Sequence, residues 1–296
     1  MLPDYLAPAV FEFVRSRNAM GSGCQTGVEN LFAFGSQRKT ECSAGFYEPV
    51  MCLVLQGAKE AYMGAQTVRY SAGDTLIVSH AVPVSSSIIR ASSDQPYVAL
   101  ALKLDLGLAR SLYNEVEGDT GTLDTQQALN AASSDAPLID AVARLFELSK
   151  DPIEAKALAP LITREIHFRL LRARHGGMLR QLLLLDSPAS RITKSIAYLR
   201  ENFRSSIRVA ELATDAGMSL SAFHDHFKSV TATTPLQYQK ELRLLEAQRL
   251  LSTGGTSVAS AAYDVGYESP TQFSREYTRK FGFSPSDQKS LTLMAG

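Results

Sequence analysis

The sequence is poor in cysteine and in long apolar runs. Its three cysteines, Cys24, Cys42 and Cys52, are odd in number and form no CxxC pair, which favours reduced thiols over a disulfide framework or a zinc site. No stretch approaches the roughly 18 apolar residues that a membrane span needs. The N-terminal segment also lacks the basic region and apolar core of a secretory signal. We therefore expect a cytoplasmic protein with neither a metal site nor a membrane contact.

The residue patterns of common enzyme classes are missing as well. A cupin-type metal centre needs clustered histidine and carboxylate ligands, but His80 is the only histidine before Asp105. His224 and His226 lie two residues apart, so on a helix they would point about 200° away from each other and cannot share an ion. No P-loop, GxGxxG or GxSxG motif occurs. The sequence predicts neither an enzyme activity nor a cofactor.

An excess of one charge is also absent from the chain as a whole. Lys and Arg together number 30, as do Asp and Glu, so the net charge of zero gives no sign of a nucleic-acid partner. From Pro188 onward there are about 13 basic and about 10 acidic residues, which is a weak positive excess. Electrostatics alone therefore does not indicate DNA.

Up to about Leu104 the apolar residues form short runs rich in Val, Ile, Leu and Tyr, which is typical of strands in a small barrel or sandwich. Turn residues at Gly64 and over 71–74 separate several of the runs. The predicted strands cover 49–55, 61–63, 68–70, 75–78 and 96–104.

Two sets of side chains alternate within the first predicted strand, so one set faces inward. The two sets are Met51, Leu53 and Leu55, and Cys52, Val54 and Gln56. The inward set either fills a core or surrounds a small-molecule effector, and the sequence leaves both interpretations open.

After Leu104 the apolar spacing changes from two residues to between three and four, which favours helices. Asp105 can cap a helix that ends near Glu115, and Asp135 can cap a second one. A longer helix is predicted over about 153–173. These helices either cover the sheet or pair with a second subunit, and the two arrangements are compatible.

Breaks in the helical pattern at His175-Gly176-Gly177 and at Asp186-Ser187-Pro188 place a domain boundary between them. We predict an N-terminal domain over 1–175, a linker over 176–190 and a C-terminal domain over 191–296. The predicted fold class is α+β, with an N-terminal β-barrel covered by helices and an all-α C-terminal domain.

The C-terminal domain contains one pattern twice, at a period of about 49 to 50 residues. The alanine-to-glycine step and the aromatic-to-proline step have the same length in both copies. The first copy comprises Leu212-Ala213, Gly217, Phe223, Phe227 and Thr234-Pro235. The second comprises Ala261-Ala262, Gly266, Phe273, Tyr277 and Ser284-Pro285.

Each spacing has a steric reason in a helix-turn-helix unit. Ala213 and Ala262 are small enough for two helices to cross closely. Gly217 and Gly266 tolerate the positive φ that the turn requires. Aromatic residues four apart place both rings on the inner face of the second helix and leave its outer face free for a DNA groove. We predict two units, over about 209–230 and 258–281.

A helix after Pro235 would join the two units rigidly and is predicted to end at Gly254-Gly255. Its apolar positions are Leu236, Leu242, Leu245, Ala247 and Leu250. Two recognition helices enter successive major grooves on one face of B-DNA only when they are held about 34 Å apart. Two units joined in this way indicate double-stranded DNA as the partner.

Over about 191–289 the chain resembles the DNA-binding domain of AraC/XylS-type transcription regulators. The resemblance is carried by ELATDAGMSLSAFHDHFKSVTATTPLQYQKELRLLEAQRLL and AAYDVGYESPTQFSREYTRKFGFSP. The segments YEPVMCLVLQGAKE and YSAGDTLIVS are similar to the cupin-like sensing domain of one branch of that family. The resemblance implies a cupin-like barrel and a homodimeric regulator that binds promoter DNA near RNA polymerase and often activates transcription.

The outer faces of the two recognition helices supply the predicted DNA contacts. These residues are Ser221, His224, Asp225, Lys228, Thr271, Gln272, Ser274, Arg275, Arg279 and Lys280. Arg275 and Gln272 are the predicted base readers, because Arg pairs with guanine and Gln with adenine through two hydrogen bonds. Lys228, Arg279 and Lys280 lie late in their helices and are predicted to meet phosphates.

Asp225 departs from the family pattern, which places a basic or polar residue there. A carboxylate repels phosphates, although it can accept a hydrogen bond from cytosine N4. The alternative hypothesis is therefore a regulator that acts mainly through protein contacts and binds DNA weakly.

Overall fold

The computed structural model describes residues 1–115, 127–253 and 256–288. Its strands are β1 (Cys24–Gln25), β2 (Leu31–Ser36), β3 (Ser43–Tyr47), β4 (Val50–Gln56), β5 (Ala58–Met63), β6 (Gln66–Ser71), β7 (Asp74–Val78), β8 (Val82–Arg90), β9 (Tyr97–Lys103) and β10 (Leu129–Ser133). Its helices are α1 (Leu6–Ser16), α2 (Leu106–Glu115), α3 (Ala136–Glu147), α4 (Pro152–Arg172), α5 (Gly177–Leu183), α6 (Pro188–Asn202), α7 (Val209–Asp215), α8 (Leu220–Thr231), α9 (Pro235–Ser252), α10 (Val258–Asp264) and α11 (Pro270–Phe281). The α+β fold class is confirmed.

The strands form two antiparallel sheets that face each other. The larger sheet has the order β1-β2-β9-β4-β7-β10, and the smaller has the order β3-β8-β5-β6. Among the described strands no hydrogen-bonded ladder joins the two sheets, so the predicted β-barrel is not closed and the strands form a sandwich. Alternation of apolar residues indicates that a strand has a buried face, but it does not predict which strands pair at the edge of a sheet.

Both faces of the central strand β4 are buried. Met51 and Leu53 belong to a core that lies between the larger sheet and helices α1 to α5. Val54 points to the opposite side, into the space between the sheets. The predicted alternation is therefore present, but it separates two buried environments rather than an inside from an outside.

Side-chain caps start the helices at the predicted places. The Asp105 carboxylate accepts a hydrogen bond from the backbone N–H of Leu108 at 2.9 Å. Asp135 accepts from the N–H of Leu138 at the same distance. Asp151 caps α4, the predicted long helix. These carboxylates satisfy backbone donors that have no partner inside the helix.

The segment predicted as a linker, 176–190, differs from expectation because it contains α5. Four apolar side chains of α5 are buried against the neighbouring helices: Met178, Leu179, Leu182 and Leu183. Arg180 donates a hydrogen bond to the carbonyl of Leu171 at 2.7 Å. The Gly176-Gly177 break therefore opens a new helix instead of a free connection.

The two parts of the chain share one apolar core. A single buried cluster includes Tyr70 and Val82 of the sheets together with Ile192, Phe227 and Tyr238 of the C-terminal helices.

Within the described ranges, no helix combines the length and the hydrophobicity of a membrane span.

Candidate nucleic-acid interface

The first helix-turn-helix unit consists of α7 and α8, as the repeat predicted. Gly217 turns the chain between them with a φ of +62°. The Ser219 hydroxyl accepts a hydrogen bond from the N–H of Ala222 at 3.3 Å and so caps α8. Ala213 is buried where the helices cross.

The second unit, α10 and α11, repeats this construction. Gly266 takes a φ of +89° at the turn. Ser269 caps α11 by accepting from the N–H of Gln272 at 3.3 Å, and Pro270 occupies the first turn, where an N–H is not needed. Ala262 is fully buried at the helix crossing.

The aromatic pairs lie on the inner faces of both recognition helices, which confirms the predicted packing. Phe223 and Phe227 are fully buried, with ring centres 5.8 Å apart. Phe273 and Tyr277 are also fully buried, with ring centres 5.5 Å apart. The opposite faces of α8 and α11 are thereby turned away from the core.

A continuous helix, α9, joins the units. Thr234 caps it by accepting from the N–H of Gln237 at 3.3 Å, and Pro235 follows at the first position. Its last described turn ends at Ser252, and the predicted stop at Gly254-Gly255 lies outside the described residues. The buried face of α9 differs from the predicted stripe, because Leu236 is 54% exposed while Tyr238 and Leu244 are buried.

Most of the predicted DNA contacts are accessible. Ser221, Asp225, Lys228, Thr271, Gln272, Arg275 and Arg279 are exposed, and His224, Ser274 and Lys280 are half-buried. The Ser274 hydroxyl donates to the carbonyl of Pro270 at 2.9 Å. Lys280 forms an ion pair with Glu241 at 2.5 Å, so it could reach a phosphate only by leaving that carboxylate.

The two recognition helices differ in charge. On α8, Asp225 and Lys228 are both exposed and offset each other. On α11, Arg275 and Arg279 are exposed, and neither forms an ion pair within the described part of the chain. The only acid of α11, Glu276, turns inward to Lys240 at 3.0 Å and to the Tyr267 hydroxyl at 2.8 Å. The outer face of the second unit is therefore the more positive one.

A cavity of about 600 Å³ lies between the two sheets of the N-terminal part. Its lining includes six aromatic residues: Phe32, Phe34, Phe46, Tyr47, Tyr70 and Tyr97. Burial raises the pKa values of the lining residues Cys52, Tyr70 and Tyr97, so all three are neutral. The charged lining residues are Glu48, Lys59 and Lys103.

Two residues of the cavity wall also contact the C-terminal domain. The Phe46 ring meets the Tyr238 ring edge-on, with centres 5.7 Å apart. Glu48 forms a two-pronged ion pair with Arg200 of α6. Tyr238 continues the contact by donating to the carbonyl of Ala81 at 2.8 Å. The alternation of β4 indicated part of this cavity, but no local pattern singled out Phe46 or Glu48.

Two capped helix-turn-helix units with polar outer faces, fixed to one helix, define a DNA-binding regulator. The comparisons with known proteins agree. The family model for the N-terminus of AraC-type transcriptional regulators matches residues 27–178, and that of a helix-turn-helix domain matches residues 212–290. The chain belongs to the family of AraC-type transcriptional regulators.

The relatives match either most of the chain or its C-terminal part alone. The virulence regulon transcriptional activator VirF of Yersinia enterocolitica is 26% identical over 82% of this chain and 89% of its own length. The transcriptional activator RhaS of Escherichia coli O139:H28 is 33% identical over 35% of this chain and 37% of its own. Among solved structures, fatty-acid-bound ToxT of Vibrio cholerae shares the fold, with a TM-score of 0.57 at 12% identity over 87% of this chain and 92% of that one.

Proposed function

We propose that this protein activates transcription by placing both recognition helices in successive major grooves of promoter DNA. The observation that carries the proposal is the pair of outward polar faces on α8 and α11, held by one capped helix. The relatives VirF and RhaS are named as activators, which supports activation and RNA polymerase as a further partner. The protein would act in the cytoplasm and without catalysis.

Arg275 and Gln272 are the base readers in this proposal. Both lie in the first half of α11 and are exposed. The recognition helix of such a unit contacts base edges with its N-terminal residues. Lys228 and Arg279 would meet phosphates, and Ser221, His224, Asp225, Thr271 and Ser274 complete the contact surface.

The experiment is a comparison of Arg275→Ala with Arg249→Ala on a duplex selected from a random library by the wild-type protein. Arg249 lies on α9 and is an exposed arginine outside the recognition helices. Arg275→Ala should lose about 1–3 kcal/mol of binding free energy and its preference at one base pair. Arg249→Ala should bind like wild type. Unchanged preference in Arg275→Ala would refute the assignment, and failure of the wild-type protein to enrich any duplex would favour action through protein contacts.

The cavity between the sheets would hold a small-molecule effector. Its volume falls in the range of about 300–1,000 Å³ that is usual for ligand pockets. Neutral aromatic walls with Lys59 and Lys103 suit a ligand that joins an apolar body to an anionic group. The similar fold of ToxT has been solved with an unsaturated fatty acid bound, which supports an apolar acid.

A second copy of the chain would pack on α4. Ile153, Leu158 and Leu161 are 82%, 43% and 65% exposed on one side of this helix. Exposed apolar side chains grouped on one face mark an interaction surface. We therefore assign sensing and dimerisation to 1–175 and DNA binding to 191–296, with α5 packed between them.

A further inference from the structure

A loop after α6 is held by two side chains of α9. It comprises Phe203, Arg204 and Ser205. The Gln239 side-chain amide donates to the carbonyls of Phe203 at 2.8 Å and Ser205 at 2.7 Å. Arg243 donates through Nε to Phe203 at 2.7 Å, and through Nη2 to Arg204 at 3.2 Å and Ser205 at 3.1 Å. We call this loop, together with Gln239 and Arg243, the interunit clamp.

The interunit clamp also contacts the second helix-turn-helix unit. The Arg243 guanidinium lies 5.8 Å from the ring centre of Tyr267, next to the turn of that unit. Gly266 approaches the loop so closely that a Cβ atom there would lie 2.1 Å from the carbonyl oxygen of Arg204. At Gly217, the counterpart in the first unit, a Cβ would meet only the Arg191 guanidinium, at 3.4 Å. The close approach at Gly266 therefore belongs to the joint between the units and not to the repeated fold.

Two ion pairs also stabilise the same joint. Lys240 of α9 pairs with Glu276 of α11 at 3.0 Å, and Glu241 of α9 pairs with Lys280 of α11 at 2.5 Å. All four side chains are at least two-thirds buried, so solvent screens these pairs less than it screens exposed ones. These ion pairs hold α11 on α9. The clamp holds the loop before the first unit on α9 and against the turn of the second unit.

We propose that the interunit clamp sets the rotation of α8 relative to α11 and thereby selects the spacing between the two half-sites of the operator. Three residues separate the loop from α7, and three separate Gly266 from α11, so Arg243 joins the segment before one unit to the turn of the other. A connecting helix alone fixes the distance between the units. The clamp fixes how each unit is turned about that helix, which decides whether both faces meet one side of the duplex. This inference rests on the proposed binding of DNA by both units.

The test is selection of binding sites from a random duplex library by the full-length protein and by Arg243→Leu. Wild type should enrich two half-sites at one separation near a helical turn, about 10–10.5 base pairs. Arg243→Leu should enrich the same half-site sequences at several separations. Its affinity for the best wild-type duplex should fall about tenfold, because a loosened joint lowers the effective concentration of the second unit at its half-site.

Arg249→Leu is the matched control, since it makes the same substitution on α9 at an arginine that pairs only with Glu246 in the described chain. It should keep the single wild-type separation. If Arg243→Leu does not fold, Arg243→Lys takes its place, since it retains the charge but loses the forked donor. Arg243→Lys should enrich a range of half-site separations that is wider than in wild type and narrower than in Arg243→Leu. Circular dichroism and the thermal midpoint establish folding for each variant.

The outcomes separate the two hypotheses. A folded Arg243 variant that enriches only the wild-type separation would overturn the clamp and leave two-unit binding intact. A wild-type pool with a single half-site would overturn binding by both units, and the clamp with it. Broadened separations in Arg243→Leu, but not in Arg249→Leu, are the expected result.

Discussion

Single residues that the repeat makes equivalent have different surroundings in the fold. Gly217 and Gly266 share the positive φ that the sequence predicted, yet only Gly266 lies against the backbone of another segment. Asp225 and Arg275 each follow the first aromatic of their helix by two residues, yet they carry opposite charges. The two units are therefore alike in fold and unlike in the chemistry that they offer to DNA.

Lys280 has a contact inside the domain that its position in the sequence did not predict. Its position late in α11 predicted a phosphate contact, and that role stays a prediction. The ion pair with Glu241 instead gives it a contact inside the domain. Nothing local in the sequence relates Lys280 to Glu241, because the 38 residues between them must fold before the two side chains meet.

A buried histidine at the boundary between the two parts predicts a pH dependence at the residue scale. His80 lies near the carbonyl of Ala189, with 3.3 Å between Nε2 and the oxygen, and burial lowers its pKa from 6.5 to about 4. The folded state therefore holds His80 neutral, whereas the unfolded chain takes up a proton below pH 6.5. Stability is full above that pH and is lost as the pH falls from 6.5 towards 4.

We expect the free energy of unfolding to fall by about 1–2 kcal/mol on account of His80 between pH 7 and pH 5. Urea titrations of wild type and His80→Asn at the two pH values measure this. His80→Asn should lose less stability than wild type over the interval. It should not become insensitive, because burial also lowers the pKa of His175 to about 4. Equal losses in both proteins would show that His80 does not contribute.

At the scale of elements, the capped helices and the repeated units were predictable, and the sheet edges were not. The side chains of Asp105, Asp135 and Ser219 accept local hydrogen bonds that fix where helices start, so short sequence windows contain the signal. The strand pairs β3 with β8 and β2 with β9 join segments far apart in sequence. Helix α5 was missed because the two glycines at its start favour a loop, and contacts with distant residues, chiefly the burial of Met178 and its leucines, stabilise it.

The exposed side of α4 predicts a dimer contact. Leu161→Glu should shift the protein towards monomer in sedimentation velocity, because a carboxylate in an apolar interface is costly to bury. Lys156→Glu is the control, since Lys156 is an exposed polar residue of the same helix. The control should leave the mass unchanged. A monomeric wild type, or an unchanged mass in Leu161→Glu, would exclude this surface.

At the scale of the whole molecule, the cavity and the DNA-binding units are in contact through a few residues. Phe46 and Glu48 line the cavity, while their partners Tyr238 and Arg200 belong to α9 and α6. A ligand that moves Phe46 or Glu48 therefore changes the contacts of the helices that carry the first recognition helix. Such differential contact is what allows a ligand to shift a conformational equilibrium.

We expect oleate, as a probe of apolar acids, to raise the thermal midpoint of the wild-type protein and to change its affinity for the selected duplex at least about fivefold. Arg200→Gln removes the ion pair and leaves every lining residue of the cavity unchanged, so it should keep the thermal shift and reduce the change in affinity to less than about twofold. Lys194→Gln, on the same helix, should behave like wild type. If oleate changed the DNA affinity of Arg200→Gln as much as that of wild type, this ion pair would not transmit the effect of the ligand.

The sequence by itself determined the helix starts, the turn glycines and the aromatic inner faces, because these depend on residues within a few positions of one another. It also determined the duplication of the DNA-binding unit, because the same local pattern occurs twice. Tertiary structure decided that the sheets stay open, that Lys280 faces Glu241, that the loop at 203–205 joins two units and that Phe46 links a cavity to α9. These features depend on contacts between distant segments. Such contacts arise from how the apolar faces of whole elements pack together, which no short stretch of sequence specifies.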